Sequence, residues 1–476
     1  MKAKWLLLIN ILLCFNAVWG FQSGTFINKT PPENTETVEG QALVYNFNFG
    51  KYENRDFVKI YNGKYADGYM EKGETDFIEK VMEIIEIFDN KHVDILIQYF
   101  GHIPYDKINV YFCDIRDDYK IRSGTYYAGY FDSYIKAHHN ALFIDLYPTF
   151  TFESVKQIKG IISHEFQHLL HHYYDSSEHK WLNEGMSEVA TYLVGGENEV
   201  HINEFIKNPF TSINYWDDRL EDYGKTYLFF RYMVYRKGTD ILYQIMQCPL
   251  KGVASIQHIM GRDGWNRFFA EWASAAAINT PDILKYNFVG LDFKLSAEGI
   301  FKGGEYIPVK IEPYSFKFYD IKIDVLNNSP ILIQNRTKSD LILKIAFYKK
   351  NKLVEVIEYE KGKMVYNSEF YDKIKLIAAN PGRDIIEDEL FLRNTIPEVK
   401  VVQNPYYFDS RMFVLKGLEF INFNFNGKKM NYFKNSSDEF FISDRIELLN
   451  SNLIEYEYIF DDKLHKGKIK FNPGEI

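Results

Sequence analysis

Hydrophobic and polar positions change rhythm several times along the chain. Alternation in Leu43-Val-Tyr-Asn-Phe-Asn-Phe49 and Phe57-Val-Lys-Ile-Tyr61 has the period of two that marks short strands. From Asp76 to Phe100 the period becomes helical, with Ile78, Val81, Met82, Ile85, Ile87 and Phe88 on one side. Lys107 to Phe112 predicts a strand, the Gly- and Tyr-rich run Gly124 to Phe131 a loop and edge, and Asn140 to Leu146 a short strand. Ile158, Ile161, Ile162, Phe166, Leu169 and Leu170 then recur at helical spacing on a helix that must be packed rather than solvated. Asp222 to Met233 and Trp265 to Ala277 predict two further helices. Beyond about residue 290 the character changes to short strands at sandwich spacing, such as Tyr306 to Ile311, Leu341 to Phe347, Ile374 to Ala378, Phe413 to Leu415 and Ile454 to Phe460.

This pattern predicts an α+β chain, with a mixed β-sheet and a helical lobe followed by one or two β-sandwiches. The expected divisions are a signal peptide at 1–20, a leader with a small β unit or pro-segment at 21–74, a main domain at 75–290, and sandwiches at 291–385 and 386–476. A chain of 476 residues is too long for one core and supports several domains. Aromatic residues make up 17% of it, a share that favours β-rich architecture. A net charge of −9 without a basic cluster argues against nucleic acid as a partner.

Lys2 and Lys4 precede an apolar run from Trp5 to Phe15, and Val18-Trp-Gly20 offers small residues for cleavage, as in a secretory signal. The run is too short to span a membrane comfortably, so no transmembrane segment is expected after its removal. The expected location is outside the cytoplasm: secreted, periplasmic or at the cell surface. Lipid anchoring at Cys14 is disfavoured by the large Leu13 before it. Cys113 and Cys248 would then remain, too few for a disulfide framework.

The chemistry concentrates in Ile161-Ile-Ser-His-Glu-Phe-Gln-His-Leu-Leu170 and Trp181-Leu-Asn-Glu-Gly-Met-Ser-Glu188. His164 and His168 stand four apart and share a helical face, so both can grip one metal ion. Glu165 sits where a general base would meet a metal-activated water. Catalytic zinc takes three protein ligands and keeps a position open, and Glu184 is the obvious third. Glu188, one turn further on, can accept the N–H of a ligating histidine and fix its tautomer. A ladder closed instead by His172 is a weaker alternative, because a third histidine on the same helix reaches the remaining tetrahedral position poorly. His171 and His179 are expected at the surface or substrate rim, and His138 and His139 are further histidines nearby.

The paired motifs His-Glu-Phe-Gln-His-Leu and Asn-Glu-Gly-Met-Ser-Glu resemble those of the thermolysin-like glutamate-zincin clan. Together with Tyr126-Tyr-Ala-Gly-Tyr-Phe131 they look most like the hyicolysin-type bacterial metallopeptidases. The likeness covers roughly residues 75 to 280. It implies zinc held by His164, His168 and Glu184, Glu165 as base, and Glu188 with Asn183 behind the ligands. It also implies that Asn140 to Leu146 lies along the cleft and pairs with extended substrate. Tyr223-Gly-Lys225 resembles a Tyr-x-Lys segment whose tyrosine donates to the oxyanion, with Tyr227 as runner-up. Gly68-Tyr-Met-Glu-Lys72 matches the amino-terminus-gripping loop of zinc aminopeptidases only superficially, so an endopeptidase is expected.

The function expected is therefore zinc-dependent hydrolysis of a peptide or protein substrate. Two rivals stand beside it: an exported binding or adhesion protein on a peptidase scaffold, and a zinc hydrolase of a non-peptide substrate. Retention of Glu165 speaks against the first, since a binding module needs no base. The sandwiches carry no catalytic motif, and surface or polymer docking is an open role for them.

Overall fold

In the computed structural model these runs assemble into two units, one formed by residues up to 268 with 291–295 and the other by 269–290 and 296–476. The structure describes residues 20–23, 39–117, 125–196, 198–302, 306–322, 331–335, 341–359, 363–366, 371–394, 398–403, 411–416, 419–434, 439–442, 452–460 and 463–471. The expected signal at 1–20 except for Gly20, with Cys14, and most of the leader lie outside these residues.

The first unit is built on a seven-stranded mixed sheet. Its strands are β1 (Gly20–Ser23), β2 (Gln41–Asn46), β3 (Lys51–Asn62), β4 (Ala66–Glu71), β5 (Ile108–Cys113), β6 (Thr125–Phe131) and β7 (Ala141–Asp145), in the order β1-β6-β7-β5-β4-β3-β2. Residues 41–71, read from sequence as a separate β unit or pro-segment, thus supply three of the seven strands. β7 is not the edge expected from the resemblance, because β6 and β5 flank it. All five of its residues are buried, the continuous apolar pattern of a strand covered on both faces.

One face of the sheet explains much of the aromatic content. Tyr69, Tyr111, Phe143 and Tyr130 stand opposite one another on β4, β5, β7 and β6. Their rings stack in a ladder with successive centroid separations of 4.9, 5.2 and 4.7 Å. Each such cross-strand aromatic pair stabilises the register by roughly 0.5–1 kcal/mol. Phe47, just beyond β2, folds over this ladder and stacks on Tyr127 at 4.6 Å.

Helices α1 (Ile78–Ile87) and α2 (Val93–Phe100) run on through a π-helical turn at Phe88–His92. The central helix α3 (Val155–Tyr174) packs against β6 and β7. It starts at Ser154, whose hydroxyl accepts from Gln157 N while the Gln157 side chain returns to the Ser154 backbone. Helices α4 (Lys180–Leu193), α5 (Glu199–Lys207) and α6 (Leu220–Lys237) follow. Among the described residues no helix is long and apolar enough to cross a membrane. Cys113 and Cys248 are both free and buried.

In the second unit, strands between Gly299 and Asn394 form a five-stranded and a four-stranded sheet. Ile307, Val309 and Leu390 from one sheet share a core with Ile321, Ile345, Phe347 and Leu376 from the other, which makes this pair a sandwich. The strand Ile386–Asn394 pairs with Tyr306–Ile311 and Ile331–Asn335, so this sandwich runs past the expected boundary at 385. Strands from Glu398 to Phe471 form two further four-stranded sheets.

Candidate metal centre

Two helices bring the motif residues together. His164 and His168 lie one turn apart on α3, their rings 4.8 Å apart at 76°. Glu184 enters from the first turns of α4. Its Oε2 lies 3.2 Å from His164 Nε2 and 3.5 Å from His168 Nε2. The three ligand atoms all fall within 4.8 Å of one another, and all three residues are buried.

This arrangement fits a small tetrahedral cation. With metal–ligand bonds of about 2.0–2.1 Å, ligand atoms at the corners of a tetrahedron stand about 3.3 Å apart. The two measured Glu184 separations bracket that edge. A second observation agrees: Glu184 Oε1 is buried without a hydrogen-bond partner, an expensive state for a carboxylate in a protein interior. The Glu184 carboxyl titrates near 2, because the neighbouring histidines outweigh the burial that would raise it. His164 is drawn up to about 10, burial being outweighed by the carboxylates of Glu184, Glu188 and Glu165.

The groups behind the histidines decide which nitrogen faces the cluster. Asn183 Oδ1 accepts from His168 Nδ1 at 2.8 Å, and Ser187 Oγ lies 3.1 Å from the same nitrogen. Ser187 Oγ itself donates to Gln167 Oε1, leaving its lone pairs for His168. Both contacts hold the proton on Nδ1 and leave the Nε2 lone pair for a metal. On His164, Nδ1 lies 3.4 Å from Glu188 Oε1. The other Glu188 oxygen accepts from His201 Nδ1 at 2.9 Å and from Asn198 Nδ2. Glu188 is buried yet held below the usual carboxylate range by His201 and His164. His201, Asn198, Ser187 and Gln167 escaped the sequence reading. Ser187 and Gln167 lie inside the quoted motifs, whereas His201 and Asn198 carry no local signature.

Glu165 is buried on α3, between the two histidines in sequence. Tyr223, on α6, stacks on the His201 ring at 5.1 Å and meets Trp216 edge-on at 4.8 Å. Burial first, then the charges of Glu184, Asp218, Glu188 and Glu165, push its phenol well above the ordinary value, so it remains an O–H donor. Tyr227 instead accepts from Arg231 Nη1 at 2.7 Å. Two glycines permit this packing. A Cβ at Gly185 would lie 2.6 Å from Phe230, and one at Gly224 only 2.0 Å from the His201 carbonyl oxygen. The Gly in Tyr-Gly-Lys is thus what lets α5 bring His201 onto Tyr223.

The remaining histidines fall elsewhere. His172 faces Phe131 and His139, with ring separations of 5.4 and 5.6 Å, and does not join the cluster. His138 lies 3.4 Å from Asp132. His171 was expected at the surface but is fully buried on the inner face of α3, its Nδ1 3.2 Å from Gln167 Nε2. His179 is exposed, as read.

No protein-family model matches the chain, and no curated protein matches it. Among solved structures, extracellular domains 3–5 of Drosophila OTK match 37% of this chain at 9% identity and a TM-score of 0.11. A family GH115 4-O-methyl-α-glucuronidase with specificity for decorated arabinogalactans matches 62% at 11% identity and a TM-score of 0.13. The chain covers 63% and 56% of those two chains, and similarity this low carries no argument about fold or function.

Proposed function

We propose that the chain is a zinc metallopeptidase of the glutamate-zincin type that cleaves within peptide chains after export. The observation that carries this reading is the buried cluster of His164, His168 and Glu184, with Glu184 Oε2 3.2 and 3.5 Å from the two Nε2 atoms and Glu165 beside it on the same helix. Two imidazoles, with His164 giving up its proton as the metal enters, and one carboxylate form a donor set that suits zinc and leaves a coordination position open.

Bound zinc would supply Lewis-acid polarisation and acidify water. Glu165 takes the proton from the attacking water and delivers it to the leaving amine. Tyr223 donates its O–H to the developing oxyanion. Asn183 and Glu188 hold His168 and His164 by their Nδ1 atoms and so keep the ligand face in place.

The test pairs metal analysis with cleavage of a broad peptide library by wild type and Glu165→Gln. The expected result is one equivalent of zinc in both, with turnover reduced roughly 10²–10⁴-fold in the variant. Zinc bound without cleavage by wild type would favour a binding role, and no zinc at all would overturn the assignment.

A further inference from the structure

A second pair of histidines faces one another outside the cluster. His172 lies in the last turn of α3, and His139 closes the short helical turn Lys136–His138 on the connection from β6 to β7. Their ring centroids are 5.6 Å apart, at an interplanar angle of 58°, and both residues are half-buried. Among the described residues, no hydrogen bond or ion pair engages a ring nitrogen of either one.

The spacing suits two donors on one ion. Two imidazoles bound to one tetrahedral ion put their ring centroids roughly 5 Å apart, so a small tilt of either ring closes the gap. The backbone on both sides is fixed without help from the rings. His172 is held within α3, where Phe131 backs its ring at 5.4 Å. Asn140, next to His139, is tied to the start of β5: its carbonyl accepts from Asn109 N at 2.8 Å, and its Nδ2 donates to Lys107 O at 3.0 Å.

Electrostatics favour a cation at this place. Burial first, then the charge of His139, lowers the pKa of His172, so near neutrality its ring offers a lone pair rather than a proton. α3 ends at Tyr174, and the carbonyl end of a 20-residue helix carries partial negative charge. Among the described residues no third imidazole, thiol or carboxylate forms a three-ligand group with the pair. The remaining positions on an ion fall to solvent, which makes it exchangeable.

We propose that His139 and His172 form a second metal site, separate from the His164, His168 and Glu184 cluster, that takes an exchangeable divalent cation of the copper(II) or zinc(II) kind through two imidazoles. The bound ion ties the β6–β7 connection to the end of the helix that carries His164 and His168. The inference is independent of the peptidase reading.

The test titrates copper(II) into untagged protein preloaded with one equivalent of zinc, and follows zinc release and the copper electron paramagnetic resonance spectrum. The expected result is one copper bound through two imidazole nitrogens with the zinc retained. Affinity should fall about 10²-fold alike in His139→Gln and His172→Gln, because either histidine alone loses the chelate, and stay unchanged in His258→Gln. A single imidazole nitrogen in the wild-type spectrum would overturn the inference, as would an affinity moved by only one of the two substitutions. Zinc released as copper enters, with the spectrum indifferent to both substitutions, would place the copper in the first cluster and overturn it too. A protein that takes no zinc would remove the peptidase reading and leave the copper result to be read in the same way.

Discussion

Glu188 accepts a hydrogen bond from His201 with one oxygen and sets the other 3.4 Å from His164 Nδ1, an ion-pair separation. Replacing His201 by Phe keeps a ring against Tyr223 and removes the bond to Glu188. Zinc affinity should fall roughly 10-fold in a chelator competition, within the range for loss of a group behind a ligand. Tyr223→Phe should lower kcat about 10²-fold with little change in KM, since an oxyanion donor acts only in the transition state. His92 makes a separate acid-stability prediction. Burial, with the nearby Lys159 and Lys91 charges, lowers its pKa to about 4 from the ordinary 6.5. As pH falls below about 6.5 the unfolded chain takes up the proton first, so stability is lost between there and about 4 and is unaffected above. Thermal melts should show about 2 kcal/mol of this loss by pH 5, largely absent in His92→Gln.

The helices separate what sequence discloses from what it hides. The grouping of His164, His168 and Glu184 was legible, because a helix converts a spacing of four into a common face: His164 with His168, and Glu184 with Glu188. His201 was not legible. It reaches Glu188 only through the packing of α5 on α6, a contact that leaves no periodic trace. β7 was misplaced for a related reason, since its apolar run shows that both faces are covered but not which strands flank it. That dependence on packing makes Gly224 a sensitive position. A methyl group there would overlap the His201 backbone, which has no rotamer with which to retreat. Gly224→Ala should cost about 3 kcal/mol or more in denaturant unfolding and weaken zinc binding, whereas Gly264→Ala, whose added carbon meets only Met260 Cβ at 3.4 Å, should leave both intact.

At the scale of the molecule, composition and alternation disclosed the α+β character and the β-rich C-terminal part, but not where the first unit begins. β2, β3 and β4 belong to the same sheet as the strands beneath α3, and Ala42, Val44 and Phe57 share a core with Tyr130 and Phe143. A chain starting at residue 75 should therefore fail to fold or bind zinc, as read by circular dichroism and metal analysis. The contact between Trp216 and Tyr223 has an optical consequence. Trp181, Trp265 and Trp272 are no more than 2% exposed, whereas Trp216 is half-buried with its ring 4.8 Å from Tyr223. In a chain that begins at residue 21, and so lacks Trp5 and Trp19, a collisional quencher in solution will act mainly on Trp216. On the proposed role of Tyr223, filling the neighbouring metal cluster should change that emission, so the indole offers an optical test of the assignment.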